Sequence, residues 1–336
     1  MNHPSKKTNT LFLITVIVYL AASLFLSMLS ARSINVGMVV SLILGELIVV
    51  IPGLIFLLFY RCDISEWIPI KKVKAGTIGY TVLLTFLIMP FLYLLNTVSQ
   101  LFVDNVAVEL MNEVNDIPMI AIVLIVGIFG PFCEEVTFRG ILFSGYKRSG
   151  KIILAIIWSG FLFGLFHMNL NQFGYACAIG IISALLAEAT GSLVPSLIMH
   201  IIINSYNVLQ LYVVDFLTAK IGTSISEVSE STELVTNDVL LRASATLLIP
   251  AVIGMAIAVV VFIAILNKEN RMDYFVSILP NRKAITDNVC TDDEPSSNKN
   301  PEKNHIITFS GILGVAICIF MIFAIDYIAE LADKFM

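Results

Sequence analysis

The sequence predicts an all-α protein, a polytopic transmembrane helix bundle of eight or nine spanning helices. Three observations predict it. Of the 336 residues, 58% are hydrophobic and only 13% charged, where a soluble domain carries about 25% charged residues. The mean hydropathy is +0.91. Apolar runs of spanning length, about 18 residues or more, recur along the whole chain.

The runs fall near 11–30, 36–60, 76–98, 117–145, 151–172, 173–190, 192–214, 243–267 and 306–328. The first follows Lys6 and Lys7 as a signal peptide would. Its length exceeds a signal core and suits an uncleaved span. The fourth to seventh runs are separated by hardly any polar loop, so their boundaries are soft. Basic residues then set the orientation. Lys6 and Lys7 precede the first run; Arg61, Lys71, Lys72 and Lys74 follow the second. Lys147, Arg148 and Lys151 follow the fourth, and Lys268, Arg271, Arg282 and Lys283 the eighth. The alternate loops are acidic, with Asp104, Glu109, Glu113 and Asp116 in one and Glu227, Glu230, Glu233 and Asp238 in another. The positive-inside rule places the amino terminus in the cytosol, and the alternation favours nine helices. The expected location is an integral membrane, the plasma membrane if the source is bacterial. Three regions are expected: amino-terminal transmembrane helices over 1–116, a helical core over 117–214, and carboxyl-terminal helices over 215–336. Within the last, 267–304 is polar and rich in Pro, Ser and Asn, and reads as a flexible cytosolic linker.

The net charge of −5 does not suit nucleic acid, which calls for a basic stripe. Cys62, Cys133, Cys177, Cys290 and Cys318 are scattered and form neither a disulfide framework nor a CxxC metal site. They read as small buried hydrophobes.

Ionisable residues within the runs are few: Glu46, Glu134, Glu135, Arg139, His167, Glu188 and His200. Three ions in the stretch PFCEEVTFRG cost roughly 8–10 kcal/mol near a bilayer centre, so the cluster must be paired, shielded and useful. Glu135 and Arg139 stand four apart and share a helical face, as an ion pair requires. Glu134 points about 100° away. Pro131 cannot donate a backbone hydrogen bond and is expected to kink or restart the helix. Phe163 with His167, and His200 with Asn204, share faces of two further helices. A cavity among the three would hold a carboxylate, two imidazoles and an amide. Such groups suit hydrolysis, with the carboxylate taking a proton from water and His or Asn donors holding an oxyanion. A zinc ion on the histidines and a glutamate is the alternative, although no HExxH motif is present.

Each residue also has a plainer reading. Glu135 with Arg139 can be structural, His167 and His200 can be packing donors, and Asn204 can be interhelical glue. Phe163 reads as packing, Glu46 has no motif around it, and Glu188 reads as interfacial. Gly160 and Gly164 form a GxxxG that fits close helix packing.

Taken together, EExxxR over Glu134–Arg139, FxxxH over Phe163–His167 and HxxxN over His200–Asn204 resemble the CAAX prenyl protease and bacteriocin-processing (CPBP, or Abi) family, intramembrane endopeptidases. The resemblance covers roughly 117–210. It implies Glu134 as the residue that activates water, His167 and His200 as its assistants or metal ligands, and Asn204 as the oxyanion donor. Glu135, Arg139 and Phe163 would support the site. A divalent metal, zinc first, is implied beside a metal-free glutamate mechanism. The implied partners are the lipid bilayer and a lipid-modified or membrane-bound peptide substrate. A non-catalytic scaffold or immunity-type binding protein is the second reading. A proton-coupled transporter is a third, weakened because the sequence shows no internal repeat. One tension stands: with straight helices the glutamates lie toward the cytosolic side and His167 toward the outer side.

Overall fold

The computed structural model describes residues 3–34, 36–103, 117–221, 236–279 and 305–335. Outside them lie Cys290, Arg282, Lys283, most of the expected linker, and the acidic loop residues Asp104, Glu109, Glu113, Asp116, Glu227, Glu230 and Glu233. The described residues form eleven helices. In order these are α1 (Pro4–Ala31), α2 (Met38–Phe59), the short α3 (Ile64–Trp67), α4 (Ala75–Ser99) and α5 (Met119–Lys147). There follow α6 (Ile152–Phe166), α7 (Leu170–Thr190), α8 (Val194–Ile221), α9 (Asn237–Lys268), the short α10 (Met272–Ser277) and α11 (Phe309–Phe335). Seven of them, α1, α2, α4, α5, α7, α8 and α9, are long and apolar enough to cross a membrane. α6, at 15 residues, is shorter, and the part of α11 whose side chains are described, Phe309–Ala324, is apolar. Large side chains such as Leu58, Phe59 and Phe320 face outward; with lipid as the solvent this exposure carries no penalty.

Local chemistry sets several boundaries. The Asp63 carboxylate accepts the Ser65 amide at 2.8 Å and starts α3, and Asn169 accepts the Gln172 amide at 3.1 Å to start α7. Gly191, at φ 65°, ends α7 in the left-handed conformation that glycine adopts without strain. The short turn that follows leads into α8.

Two close helix pairs dominate the packing: α4 runs along α9, and α6 forms an antiparallel hairpin with α7. In that hairpin the sequence-level GxxxG does what close packing requires. A methyl placed on Gly160 would lie 2.7 Å from the Ile181 amide nitrogen, and one on Gly164 would lie 2.8 Å from the Phe173 carbonyl. α5 sits between α2, α6 and α8. Asn9 ties four parts of the chain together and is fully buried. Its amide donates to Ile306 O at 2.6 Å and Thr308 Oγ1 at 3.0 Å. Its carbonyl accepts from Tyr146 Oη at 2.8 Å and Trp158 Nε1 at 3.4 Å.

The expected linker begins in an ordered form. α9 continues to Lys268, and α10 follows after a tight turn at Asn270 (φ 55°). Arg271 Nε donates to Glu188 O at 3.1 Å, and Tyr274 Oη donates to the Glu188 carboxylate. Lys147 Nζ reaches the same carboxylate at 3.2 Å. Glu188, at its end of α7, is therefore buried as well: its side chain is 2% exposed and gathers three cationic or hydroxyl partners. Removal from water raises the Tyr274 hydroxyl to about 12, and the neighbouring carboxylate works in the same direction. Of the cysteines, Cys133 and Cys318 are buried as expected, while Cys62 and Cys177 are half-buried.

Candidate active site

α5 carries the first motif and is the least regular helix. It contains two π-helical stretches, Val123–Phe129 and Val136–Phe143, flanking an α-helical turn over Gly130–Glu135. Pro131 stands in the first positions of that α-helical turn, where the π register before it gives way, and the helix continues through it. The proline has no amide hydrogen, so an acceptor one turn earlier loses its donor: Gly127 in an α register, Val126 in a π register. α8 supplies a donor at either position. Asn204 Nδ2 donates to Val126 O, and Ser205 Oγ to Gly127 O, both at 3.3 Å. A methyl on Gly127 would collide with Ser205, so glycine there permits the approach.

Around the acidic turn the three motifs meet. Glu135 Oε1 lies 3.2 Å from Arg139 Nη1, with both side chains at most 2% exposed. The same oxygen accepts from His200 Nδ1 at 3.0 Å. His200 Nε2 lies 3.4 Å from Glu134 Oε2, and Glu134 is the more open carboxylate, at 17% exposure. The Glu135–Arg139 contact is an ion pair by distance but not a well-aligned hydrogen bond. Among the described residues, the guanidinium nitrogens and Glu135 Oε2 have no hydrogen-bond partner. The cation rests instead on the Phe163 ring, 4.2 Å from its centroid, an arrangement a desolvated guanidinium favours.

Phe163 is thus more than filler. Its ring meets His167 edge-on at 4.9 Å, His200 at 5.7 Å and Phe138 at 5.0 Å. His167 caps α6, and its Nδ1 lies 2.9 Å from Phe163 O. A carbonyl only accepts, so Nδ1 carries the hydrogen and the neutral ring keeps its lone pair on Nε2.

The depth tension disappears because α6 is short. Its 15 residues rise about 22 Å, where one straight helix over 151–172 would rise about 33 Å. His167 at its end meets Phe163, which also meets His200, and His200 reaches Glu134, so the motifs stand together. The sequence reading had assigned 151–172 to one long run and placed His167 near its far end.

Glu46, the only ionisable residue in α2, also faces this site. Its Oε1 would touch a methyl on Gly130 at 3.0 Å, so the carboxylate lies against the α5 backbone just before Glu134. Its Oε2 is buried without a hydrogen-bond partner among the described residues. Tyr19 and Tyr175 lie within electrostatic reach of Glu134. Sequence reasoning gave Glu46 little weight for lack of a motif and did not single out the tyrosines. The available signal was a lone carboxylate within an apolar run.

Both histidines show a feature of metal ligands, one ring nitrogen held by an acceptor. Among the described residues, however, no three His, Cys, Asp or Glu side chains converge as a metal ion would require. The arrangement does not fit a bound ion as it stands.

Fold and site together define a multi-pass integral membrane protein with a buried carboxylate–histidine centre in its middle helices. Residues 116–206 match the Rce1-like family, described as type II CAAX prenyl endopeptidase Rce1-like, and this segment carries all three motifs of the CPBP resemblance. No curated protein and no solved structure gives a significant match.

Proposed function

We propose that the chain is an intramembrane endopeptidase that hydrolyses a peptide bond of a membrane-associated or lipid-modified peptide, with Glu134 as the base. One observation carries the reading most directly: Glu134 is the motif carboxylate that forms no ion pair with Arg139 and stands 3.4 Å from His200 Nε2, while its neighbour Glu135 is paired with Arg139. The family match over 116–206 supports the same class.

In this mechanism Glu134 takes a proton from water as the oxygen attacks the scissile carbonyl carbon. The carbonyl oxygen becomes an oxyanion. Collapse of the tetrahedral species breaks the C–N bond, and the proton on Glu134 passes to the departing nitrogen. Asn204 spends one amide hydrogen on Val126 O; its second is available to the oxyanion. With Nδ1 donating to Glu135, His200 presents its Nε2 lone pair to Glu134 and can hold the proton between steps. His167 Nε2 is likewise an acceptor and suits orienting the water. No step is assigned to a metal. Exhaustive chelation of the purified protein is therefore expected to leave activity unchanged, and loss with rescue by zinc would instead make His167 and His200 ligands. The three regions, 1–116, 117–214 and 215–336, are proposed as helical flank, catalytic core and second flank.

The deciding experiment compares peptide termini in membrane and secreted fractions from cells making wild-type protein or Glu134→Gln at matched membrane abundance. The amide keeps shape but cannot act as a base. Termini present only with the wild type are expected and would name the substrate. Identical termini would replace this reading with the scaffold or immunity-type one.

A further inference from the structure

A cavity of about 850 Å³ lies between α1 and α2, and none of the candidate site residues lines it. Ile14 of α1 and Ile51, Ile55 and Phe59 of α2 form much of its wall. These four are between 44% and 77% exposed, so the chain itself does not cover them. Pro52 also lines the cavity and removes the amide hydrogen that would bond Ile48 O. The volume lies within the range of about 300–1,000 Å³ typical of small-molecule sites.

The cavity is apolar along its length and cationic at one end. Lys6 and Lys7 line it there, and Lys7 Nζ stands 4.2 Å over the Tyr60 ring. No acidic residue is among the described residues that line it. That end belongs to the face where Arg148 and Arg271 also meet the chain. A basic mouth opening on an apolar slot between spanning helices matches an anionic lipid headgroup above its acyl chains.

We propose that this groove binds an anionic glycerophospholipid, with acyl chain between α1 and α2 and phosphate against Lys6 and Lys7. A substrate peptide fits less well, because a scissile bond held here would lie among residues that exclude Glu134, His167 and His200. The inference does not depend on catalysis.

The test uses the purified full chain, exchanged into mixtures of phosphatidylglycerol and phosphatidylcholine of identical acyl composition, with retained lipid counted by native mass spectrometry. Wild-type protein is expected to keep phosphatidylglycerol selectively. Lys6→Gln with Lys7→Gln should weaken that retention by roughly 10–30-fold, whereas Lys6→Arg with Lys7→Arg should preserve it. Ile51→Trp should displace the lipid by filling the slot. Lys71→Gln with Lys72→Gln removes the same charge from exposed positions that do not line the cavity, and should leave retention intact. Equal retention of the two lipids would overturn the proposal, as would equal losses in the two glutamine pairs. Displacement of the lipid by an isoprenylated peptide would also overturn it, by assigning the groove to substrate.

Discussion

Glu135 is the residue on which the site's internal balance turns. One carboxylate oxygen faces both Arg139 and His200, which leaves Glu134 to the water. Removing the cation leaves a buried negative charge without its ion-pair partner, with neutral donors such as His200 beside it. Arg139→Ala is therefore expected to cost about 3–5 kcal/mol, seen as loss of protein from the membrane fraction; normal abundance would show that the ion pair is not a buttress. Asn204 shows a second residue-level dependence. It satisfies a carbonyl left short of a donor by Pro131, so one amide joins helix geometry to the proposed oxyanion contact.

At the scale of elements, the length of α6 and the fit of α6 on α7 place His167. The hairpin has no room for side-chain atoms where its glycines cross. Gly164→Ala would set a methyl 2.8 Å from the Phe173 carbonyl and 2.9 Å from the Cys177 amide nitrogen. Backbone cannot yield there, so the hairpin must open. The expected cost is about 1–3 kcal/mol, read as a lower thermal midpoint in detergent, with reduced turnover because His167 moves with the hairpin. Gly174→Ala, which meets open space in the same hairpin, serves as the control and should change neither.

Across the whole molecule, the basic ends collect on one face. Arg148 pairs with Glu66, the Lys71 amide bonds Ser192, the Lys74 amide bonds Glu269, and Arg271 and Lys147 share Glu188. These contacts bring together the ends of α2, α4, α5, α7, α8 and α9, so the chain alternates between two faces as its loop charges suggest. We propose that the basic face is cytosolic. A cysteine introduced at Lys72 should react with a membrane-impermeant maleimide only after permeabilisation; labelling in intact cells would reverse the orientation.

Composition and apolar run length by themselves determined that this chain is a helical membrane bundle. The rule behind this is severe: backbone polar groups in lipid must be satisfied within the segment, so spanning runs become helices. Ordered motifs on separate runs determined the candidate residues for the same kind of reason, because each ion in hydrocarbon demands a partner or a purpose. The tertiary structure decided what depends on contacts between runs. It set the depth of His167, through a helix shorter than its apolar run. It supplied, from α8, a donor for the carbonyl that Pro131 leaves without one, where the local rule had suggested a kink or a restart. It buried Glu188 under three donors from distant segments, and it brought Glu46 of α2 beside a motif in α5. Periodicity tells which residues share a face of one helix; which faces meet, and at what height, follows only from how the helices pack.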